Sequence, residues 1–228
     1  MIRPTGQVSA VVFDLDGTLV DTMACILATY VDTIRSLGGP DVTIDDVLGK
    51  FHIGPTRVVL EHFLGRPLVA EDLECYFAAY EQAITGLQPF PGVVDLVEEL
   101  RRAGYRLGLF TSATRRAATL VLATAGLDRL FEVIVGGDEI VHPKPASDGL
   151  ELICRRLGVR PNTTAYVGDA LVDLECAISA GALAIHARWG GASGVEAGEH
   201  VVAECPADIL ACLKSVKRGR PDETTAVF

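Results

Sequence analysis

Two aspartates separated by one residue follow a short apolar run near the start of the chain. The run Val8–Phe13 is typical of a buried parallel strand, and Asp14 and Asp16 leave its carboxyl end before the turn residue Gly17. Asp is depleted in strands, so a pair at this place needs a reason. One carboxylate can attack phosphorus while the other gives a proton to the leaving oxygen and later takes one from water. The alternative is a solvated strand-to-turn cluster.

A second pair of acids follows a later apolar run. Asp169 comes just after the predicted strand Thr164–Val167, and Asp173 lies four residues further on, so both can project from one face of the first turn of a helix. Hard oxygen ligands suit Mg²⁺, which is commonly held by one or two carboxylates with water and phosphate. The alternative is that these acids only complement the dipole of the helix N-terminus. The helix dipole explains the pair Asp169 and Asp173, but it does not also explain the pair Asp14 and Asp16.

Two further polar features lie between the acidic pairs. The predicted strand Arg106–Phe110 is followed by Thr111 and Ser112, whose hydroxyls can hydrogen-bond a phosphate oxygen or simply cap the next helix. Lys144 stands between two prolines, which stiffen its loop and make it a fixed cation for a phosphoryl group. Taken alone, a lysine is more often solvated.

The elements that position these groups follow from the spacing of apolar runs and turn residues. After residue 86 strands and helices alternate, which predicts the α/β class: a Rossmann-like three-layer core with a parallel sheet. Between the first strand and this alternation the pattern indicates only helices, and an all-helical insertion after a catalytic strand end predicts a cap, or lid, over the site. We expect a core at residues 1–18 and 87–213, a cap at 19–86 and a flexible tail at 214–228.

Ligands in open α/β sheets bind outside the carboxyl ends of the strands, and all four features fall at such ends or in the loops there. Four acids meeting without a cation would repel, at about 4 kcal/mol for each close pair at an effective dielectric near 20. One magnesium ion and Lys144 can relieve that repulsion. The sequence therefore predicts a single magnesium site beside this lysine.

Composition narrows the class of protein. A formal net charge of −10 argues against a nucleic-acid binder, because such binding rests on Lys and Arg neutralising phosphates. With 49% hydrophobic and 22% charged residues, a sizeable core is expected. The sequence shows neither an apolar run long enough to span a membrane nor an N-terminal leader, so no membrane partner is expected. Six scattered cysteines, without metal-ligand spacing, indicate free thiols in a reducing cytoplasm.

The four features, taken in order, resemble the motifs of the haloacid dehalogenase superfamily. The segments that carry the resemblance are Phe13–Thr18, Thr111, Lys144–Pro145 and Gly168–Asp173. The resemblance implies a Rossmann-like core with a helical cap inserted after the first motif. Within the superfamily the chain is similar to the phosphoglycolate phosphatase and β-phosphoglucomutase-like branch, on the runs Gly136–Glu139, Lys144–Ala146 and His186–Gly190. Ser147 departs from the pattern, since proline is common there.

Carried over residue by residue, the resemblance implies catalytic roles for four side chains. Asp14 would be the nucleophile that forms an aspartyl-phosphate, and Asp16 the acid–base residue. Thr111 would hold the phosphoryl group, and Lys144 would neutralise charge. Dehalogenases of the superfamily lack the acid at position 16, so dehalogenation is not expected.

The resemblance also implies ligand sets. The magnesium ligands would be Asp14, Asp169 and the backbone carbonyl of Asp16, with Asp173 supporting the metal site. We expect five other residues to bind phosphate or substrate: Gly17, Thr18 and Ser112 in the core, and His52 and Arg57 in the cap. An arginine in the cap can bind a carboxylate or phosphate bidentately, although a surface role on its helix is an equal alternative.

The sequence thus predicts a magnesium-dependent phosphatase that acts on a small phosphomonoester, such as a phosphoglycolate-like compound or a sugar phosphate. A phosphomutase shares every core residue and stays open as an alternative. A catalytically silent binding protein on the same scaffold is a third possibility, since fold alone never implies function. The chain is expected to be a monomer or a homodimer.

Overall fold

Six parallel strands form one sheet at the centre of the molecule. The computed structural model describes residues 7–191, 195 and 198–217; the side chains at positions 52 and 215–217 lie outside this description. In spatial order the sheet is β3-β2-β1-β4-β5-β6. Its strands are β1 Ala10–Phe13, β2 Arg106–Phe110, β3 Val133–Val135, β4 Thr164–Gly168, β5 Leu183–Ala187 and β6 Val201–Ala203.

The first strand lies in the middle of the sheet because every one of its residues is buried. Ala10 and Val12 point to one face, while Val11 and Phe13 point to the other and join a separate cluster of buried side chains. A parallel strand covered on both faces reads as a continuous apolar run, which is why the sequence identified it.

Between β1 and β2 the described residues form helices and turns. The helices are α1 Met23–Ser36, α2 Ile44–Leu48, α3 Thr56–Leu64 and α4 Ala70–Ala83. Helices α1 and α4 pack together through buried tyrosines, among them Tyr30 and Tyr76, whose ring centroids lie 5.2 Å apart. The two chain connections to this helical segment run side by side, since the Phe90 amide donates to the Leu19 carbonyl at 2.9 Å.

Five more helices cover the sheet. They are α5 Val93–Arg102, α6 Arg115–Thr124, α7 Asp148–Leu157, α8 Leu171–Ala180 and α9 Ile209–Lys217. Side chains of α7 and α8 pack on the face of Val12, and those of α5, α6 and α9 on the face of Val11. The predicted class is confirmed: a three-layer α/β core with a parallel sheet and a helical insertion after β1. The domain boundaries stay a prediction.

The C-terminal segment differs from the expectation in one respect. Helix α9 continues to Lys217, four residues into the segment that the sequence indicated as a flexible tail from residue 214. Leu213 is fully buried, which anchors the helix on the sheet. Residues 218–228 of the predicted tail lie outside the described residues.

The cysteines and the helices bear on two further expectations. Free thiols are found at Cys25, Cys75, Cys154, Cys176 and Cys205. Among the described residues, none of the helices combines the length and the apolar character that crossing a membrane requires.

Packing of α7 on β2 depends on a glycine. A β-carbon at the buried Gly149 would overlap the ring of Phe110. We expect Gly149→Ala to lower the free energy of unfolding by about 1–3 kcal/mol, because an added methyl group in a packed core forces neighbours off their rotamers. This cost exceeds the helix-propensity gain of about 1 kcal/mol for replacing Gly by Ala. Urea denaturation measures the difference.

The matched control is Gly49→Ala at the end of α2. Gly49 has a helical φ of −61°, and an added β-carbon would meet nothing closer than the Asp45 carbonyl oxygen at 3.3 Å. We expect this exposed substitution to change the free energy of unfolding by less than about 0.5 kcal/mol. Equal stabilities for Gly149→Ala and the wild type would contradict the packing described here.

Candidate active site

The strand order brings the predicted site residues to one edge of the sheet. Strands β2 and β4 flank β1, with Phe13 in register with Leu109 on one side and Val167 on the other. The residues that follow these strands are Asp14, Thr111 and Asp169. They therefore leave the sheet together, at the edge where ligands of open α/β sheets bind.

Lys144 places a buried positive charge at this edge. Its ammonium lies 2.5 Å from Oδ1 of Asp14 and 2.7 Å from Oδ1 of Asp173. The three side chains are 3%, 8% and 3% exposed, so this is an interior ion cluster and not a screened surface pair. Burial lowers the pKa of Lys144, but the charges of Asp14 and Asp173 outweigh burial and raise that pKa above its ordinary value.

Two aromatic rings support the lysine. The Lys144 ammonium lies 4.8 Å from the ring centre of Phe110 and 5.3 Å from that of Tyr166. The Tyr166 hydroxyl contacts the Phe110 carbonyl at 2.9 Å and Oδ1 of Asp173 at 3.3 Å. Tyr166 was not among the predicted site residues, because a tyrosine inside a buried strand is an ordinary core residue. Its place two residues before the Gly168-Asp169 motif is the one signal available.

Three carboxylates converge beside the lysine. Among the described residues, Asp14, Asp169 and Asp173 each offer an oxygen, and these oxygens lie within 4.8 Å of one another. Burial raises the pKa of Asp14 well above its usual range. Burial, and then the charge of Asp173, raise the pKa of Asp169 to about 6. The cluster therefore holds more negative charge than one lysine balances, and its hard oxygen donors fit a divalent cation.

Asp16 accepts hydrogen bonds from two hydroxyl groups. The hydroxyl of Thr22 donates to its Oδ1 at 2.5 Å, and that of Thr111 donates to its Oδ2 at 3.3 Å. Burial raises the pKa of Asp16, although these hydrogen bonds work against the rise. Sequence reasoning missed Thr22, which precedes α1, because no local pattern shows that the turn after β1 returns it to the site.

The turn after β1 holds the predicted phosphate-binding residues Gly17 and Thr18. Gly17 adopts a positive φ of 79° and leaves no room for a side chain beside Asp169. The buried hydroxyl of Thr18 donates to Oδ1 of Asp169 at 3.1 Å, so it orients a carboxylate of the cluster. Ser112 is exposed beside Thr111.

The two substrate-binding candidates in the helical insertion are Arg57 and His52. Arg57 donates to the Glu61 carboxylate at 3.3 Å and to the Leu68 carbonyl at 3.0 Å. Both partners belong to the helical insertion, so these contacts do not join Arg57 to the carboxylate cluster. The side chain of His52 lies outside the described residues.

Comparison with known proteins gives this site its context. Residues 11–187 match the haloacid dehalogenase-like hydrolase family. The chain is 34% identical to "Probable phosphatase IndB" of Dickeya dadantii over 187 residues, which cover 79% of this chain and 81% of that protein. It is 36% identical to a plasmid-encoded phosphoglycolate phosphatase of Cupriavidus necator over 188 residues, 80% of this chain and 81% of that protein.

A solved structure agrees in fold. The crystal structure of CbbY from Rhodobacter sphaeroides in complex with phosphate superposes with a TM-score of 0.79 at 24% identity, covering 91% of this chain and 99% of that chain. The family match covers both acidic pairs, Lys144 and the strands that position them. The resemblance seen in the motifs is thereby confirmed, and the chain belongs to the haloacid dehalogenase-like hydrolases.

Proposed function

We propose that this protein is a magnesium-dependent phosphatase that hydrolyses a small phosphomonoester through an aspartyl-phosphate on Asp14. The observation that carries the proposal is the buried contact between Lys144 and Asp14 inside a cluster of carboxylates. The names of the relatives, a phosphatase and a phosphoglycolate phosphatase, support the reaction class and favour a phosphoglycolate-like compound or a sugar phosphate. Cytoplasmic location, and a monomeric or homodimeric state, stay predictions.

The carboxylate cluster would hold the metal ion. Asp14 and Asp169 would be its side-chain ligands together with the backbone carbonyl of Asp16, and Asp173 would support the site. Bound Mg²⁺ would supply the positive charge that the cluster lacks, keep Asp14 ionised and draw electron density from the phosphoryl oxygens.

In the first step Asp14 is the nucleophile. One of its carboxylate oxygens attacks phosphorus, and the bond between phosphorus and the leaving oxygen breaks. Asp16 gives its proton to that oxygen, which departs as an alcohol. The raised pKa of Asp16 suits an acid that must carry a proton near neutral pH. Lys144 balances the charge that moves between Asp14 and the phosphoryl group.

In the second step water cleaves the aspartyl-phosphate. Asp16, now ionised, takes a proton from the water molecule as its oxygen bonds to phosphorus. The bond between phosphorus and Asp14 breaks, which releases inorganic phosphate and restores the carboxylate. The separate surroundings of the two acids, a lysine at Asp14 and two threonines at Asp16, support this division of roles.

Replacing the nucleophile tests the mechanism. Asp14→Asn should lower kcat for a phosphomonoester by at least about 10³-fold, because covalent catalysis is lost. In chelator the variant should unfold no more readily than the wild type, since burial raises the pKa of Asp14 and a neutral amide avoids burying that charge. Phosphate release and urea denaturation measure the two effects.

Asp41→Asn is the matched control for this test. Its side chain is 94% exposed in the helical insertion, so the same chemical change should leave kcat within about twofold of the wild type. Activity of Asp14→Asn comparable to that of this control would sink the covalent mechanism.

Removal of the metal tests the cofactor. Across a panel of phosphomonoesters, phosphate release should fall to background in chelator and return on addition of Mg²⁺. The reason is that Lys144 alone does not neutralise the negative charge of the carboxylate cluster. Hydrolysis that persists in chelator would contradict the metal requirement. Conversion of a sugar phosphate to an isomer without phosphate release would identify a phosphomutase instead.

The raised pKa values predict how stability depends on pH. In chelator the folded protein binds more protons than the unfolded chain between the ordinary pKa of Asp, about 4, and the raised pKa of Asp169, about 6. The free energy of unfolding should therefore decrease as pH rises through this window. Asp72 acts in the opposite sense, but its lowered pKa of about 2 places its effect below the window. Burial lowers the pKa values of His186 and His200, which also act in the opposite sense, towards the upper end of the window.

Urea denaturation in chelator at a series of pH values checks this expectation. Asp169→Asn removes one of the raised carboxyls and should flatten the decrease. If the free energy of unfolding of Asp169→Asn changed with pH in the same way as that of the wild type between about pH 4 and pH 6, Asp169 would not be desolvated as described here.

A further inference from the structure

The turn that carries the catalytic aspartates is fixed from within by its backbone. Three successive amides, those of Thr18, Leu19 and Val20, lie 3.3, 2.9 and 3.2 Å from the Leu15 carbonyl. The amide of Gly17 donates to the Val20 carbonyl at 2.9 Å. These bonds fix the shape of the turn, but they do not hold the turn against the rest of the site.

Trp189 bonds this turn from outside. It lies in the short helix Arg188–Gly190 that follows β5, two strands away from β1 in the sheet. Its indole N–H donates to the carbonyl of the buried Thr18 at 2.8 Å, and its ring packs against the main hydrophobic core. The indole therefore gives a buried backbone carbonyl the donor that it requires.

Gly190 completes the contact. A β-carbon at Gly190 would overlap the Gly17 carbonyl and stand 2.7 Å from Cβ of Asp169. A β-carbon at Gly17 would in turn stand 2.5 Å from Oδ2 of Asp169. The backbone of the turn is thus layered between Gly190 and a carboxylate of the cluster, without space for one methyl group at either contact.

We propose that Trp189 and Gly190 are positioning residues that clamp the Gly17–Thr18 backbone against Asp169 and thereby set the affinity of the site for its divalent cation. The inference rests on the proposed function, since it takes the Asp16 carbonyl and the Asp169 carboxylate as metal ligands. Neither residue of the clamp touches substrate or metal. They act by fixing where the turn and the carboxylate lie relative to each other, as outer partners of metal ligands do.

The indole of Trp189 also serves as a spectroscopic probe of the clamp. Trp189 is the one tryptophan of the sequence, so indole emission arises at this contact alone. The emission of an indole depends on its hydrogen bond and on the polarity around it. Because the N–H bonds the catalytic turn directly, we expect titration of the wild-type protein with MgCl₂, without substrate, to change the emission with the same midpoint as calorimetric binding.

Trp189→Phe tests the clamp, because it keeps an aromatic ring in the core and removes the N–H donor. Isothermal titration calorimetry with MgCl₂ should give a dissociation constant about tenfold higher than that of the wild type. At saturating Mg²⁺ the kcat of the variant should return to within about threefold of the wild type, since the reacting groups are unchanged. Thermal unfolding in chelator reports whether the variant folds.

Arg188→Ala is the matched control. Arg188 lies in the same short helix but points outward to Glu204, with a 2.7 Å ion pair between half-exposed side chains. This substitution should leave the Mg²⁺ dissociation constant unchanged.

The outcomes separate the clamp from the proposed function. If Trp189→Phe binds Mg²⁺ as tightly as a wild-type protein that hydrolyses phosphomonoesters with Mg²⁺, the clamp is overturned and the function stands. If the wild type binds no Mg²⁺, both are overturned. Should Trp189→Phe fail to fold, the emission titration decides: an emission unchanged by saturating MgCl₂ overturns the clamp, and a shared midpoint supports it.

Discussion

The arrangement of the site depends on one buried cation among several acids. Lys144 contacts Asp14 and Asp173 where water is largely excluded, and Asp169 lies within the same cluster. Charges in such a place are costly unless they are paired, and removing one partner leaves the others without compensation. Three carboxylates share this one lysine, and burial together with the charge of neighbouring carboxylates raises the pKa values of Asp14 and Asp169. The hard oxygen donors of this acid-rich cluster fit a divalent cation.

The backbone around the carboxylates is tightly packed. Gly17, Gly168 and Gly190 each lie where a β-carbon would collide with a carboxylate side chain of the cluster or with the catalytic turn. The carboxylates therefore pack directly on main chain and not on flexible side chains. Such contact keeps the oxygens where they are before any ion arrives, and preorganised donors of this kind are what electrostatic catalysis requires.

Contacts of different kinds join the helical insertion to the rest of the molecule. Thr22, at the start of α1, donates to Asp16, so the proposed acid–base residue is bonded to the element that leads into the insertion. On the surface, Arg116 of α6 holds Glu74 of α4 through two hydrogen bonds of 2.5 and 2.8 Å and covers the Phe77 ring. The two connections to the insertion run side by side close to Asp16.

The sequence by itself determined the elements and the chemistry. Apolar runs covered on both faces identified the parallel strands, and acids or hydroxyls just after them identified the edge of the sheet that would hold the site. The types Asp, Thr and Lys at those positions limited the chemistry to phosphoryl transfer with a hard cation. These inferences succeed because strand burial and strand ends are local properties that a linear pattern records.

Only the tertiary structure decided which groups touch. The bonds from Thr22 to Asp16 and from Trp189 to Thr18 join residues whose closeness arises from a turn and from strand order, and no local pattern encodes either one. Tyr166 reads as a core residue until the fold places its hydroxyl 3.3 Å from Asp173. Arg57, a substrate ligand by type, contacts Glu61, because helix neighbours four residues apart meet wherever the helix lies.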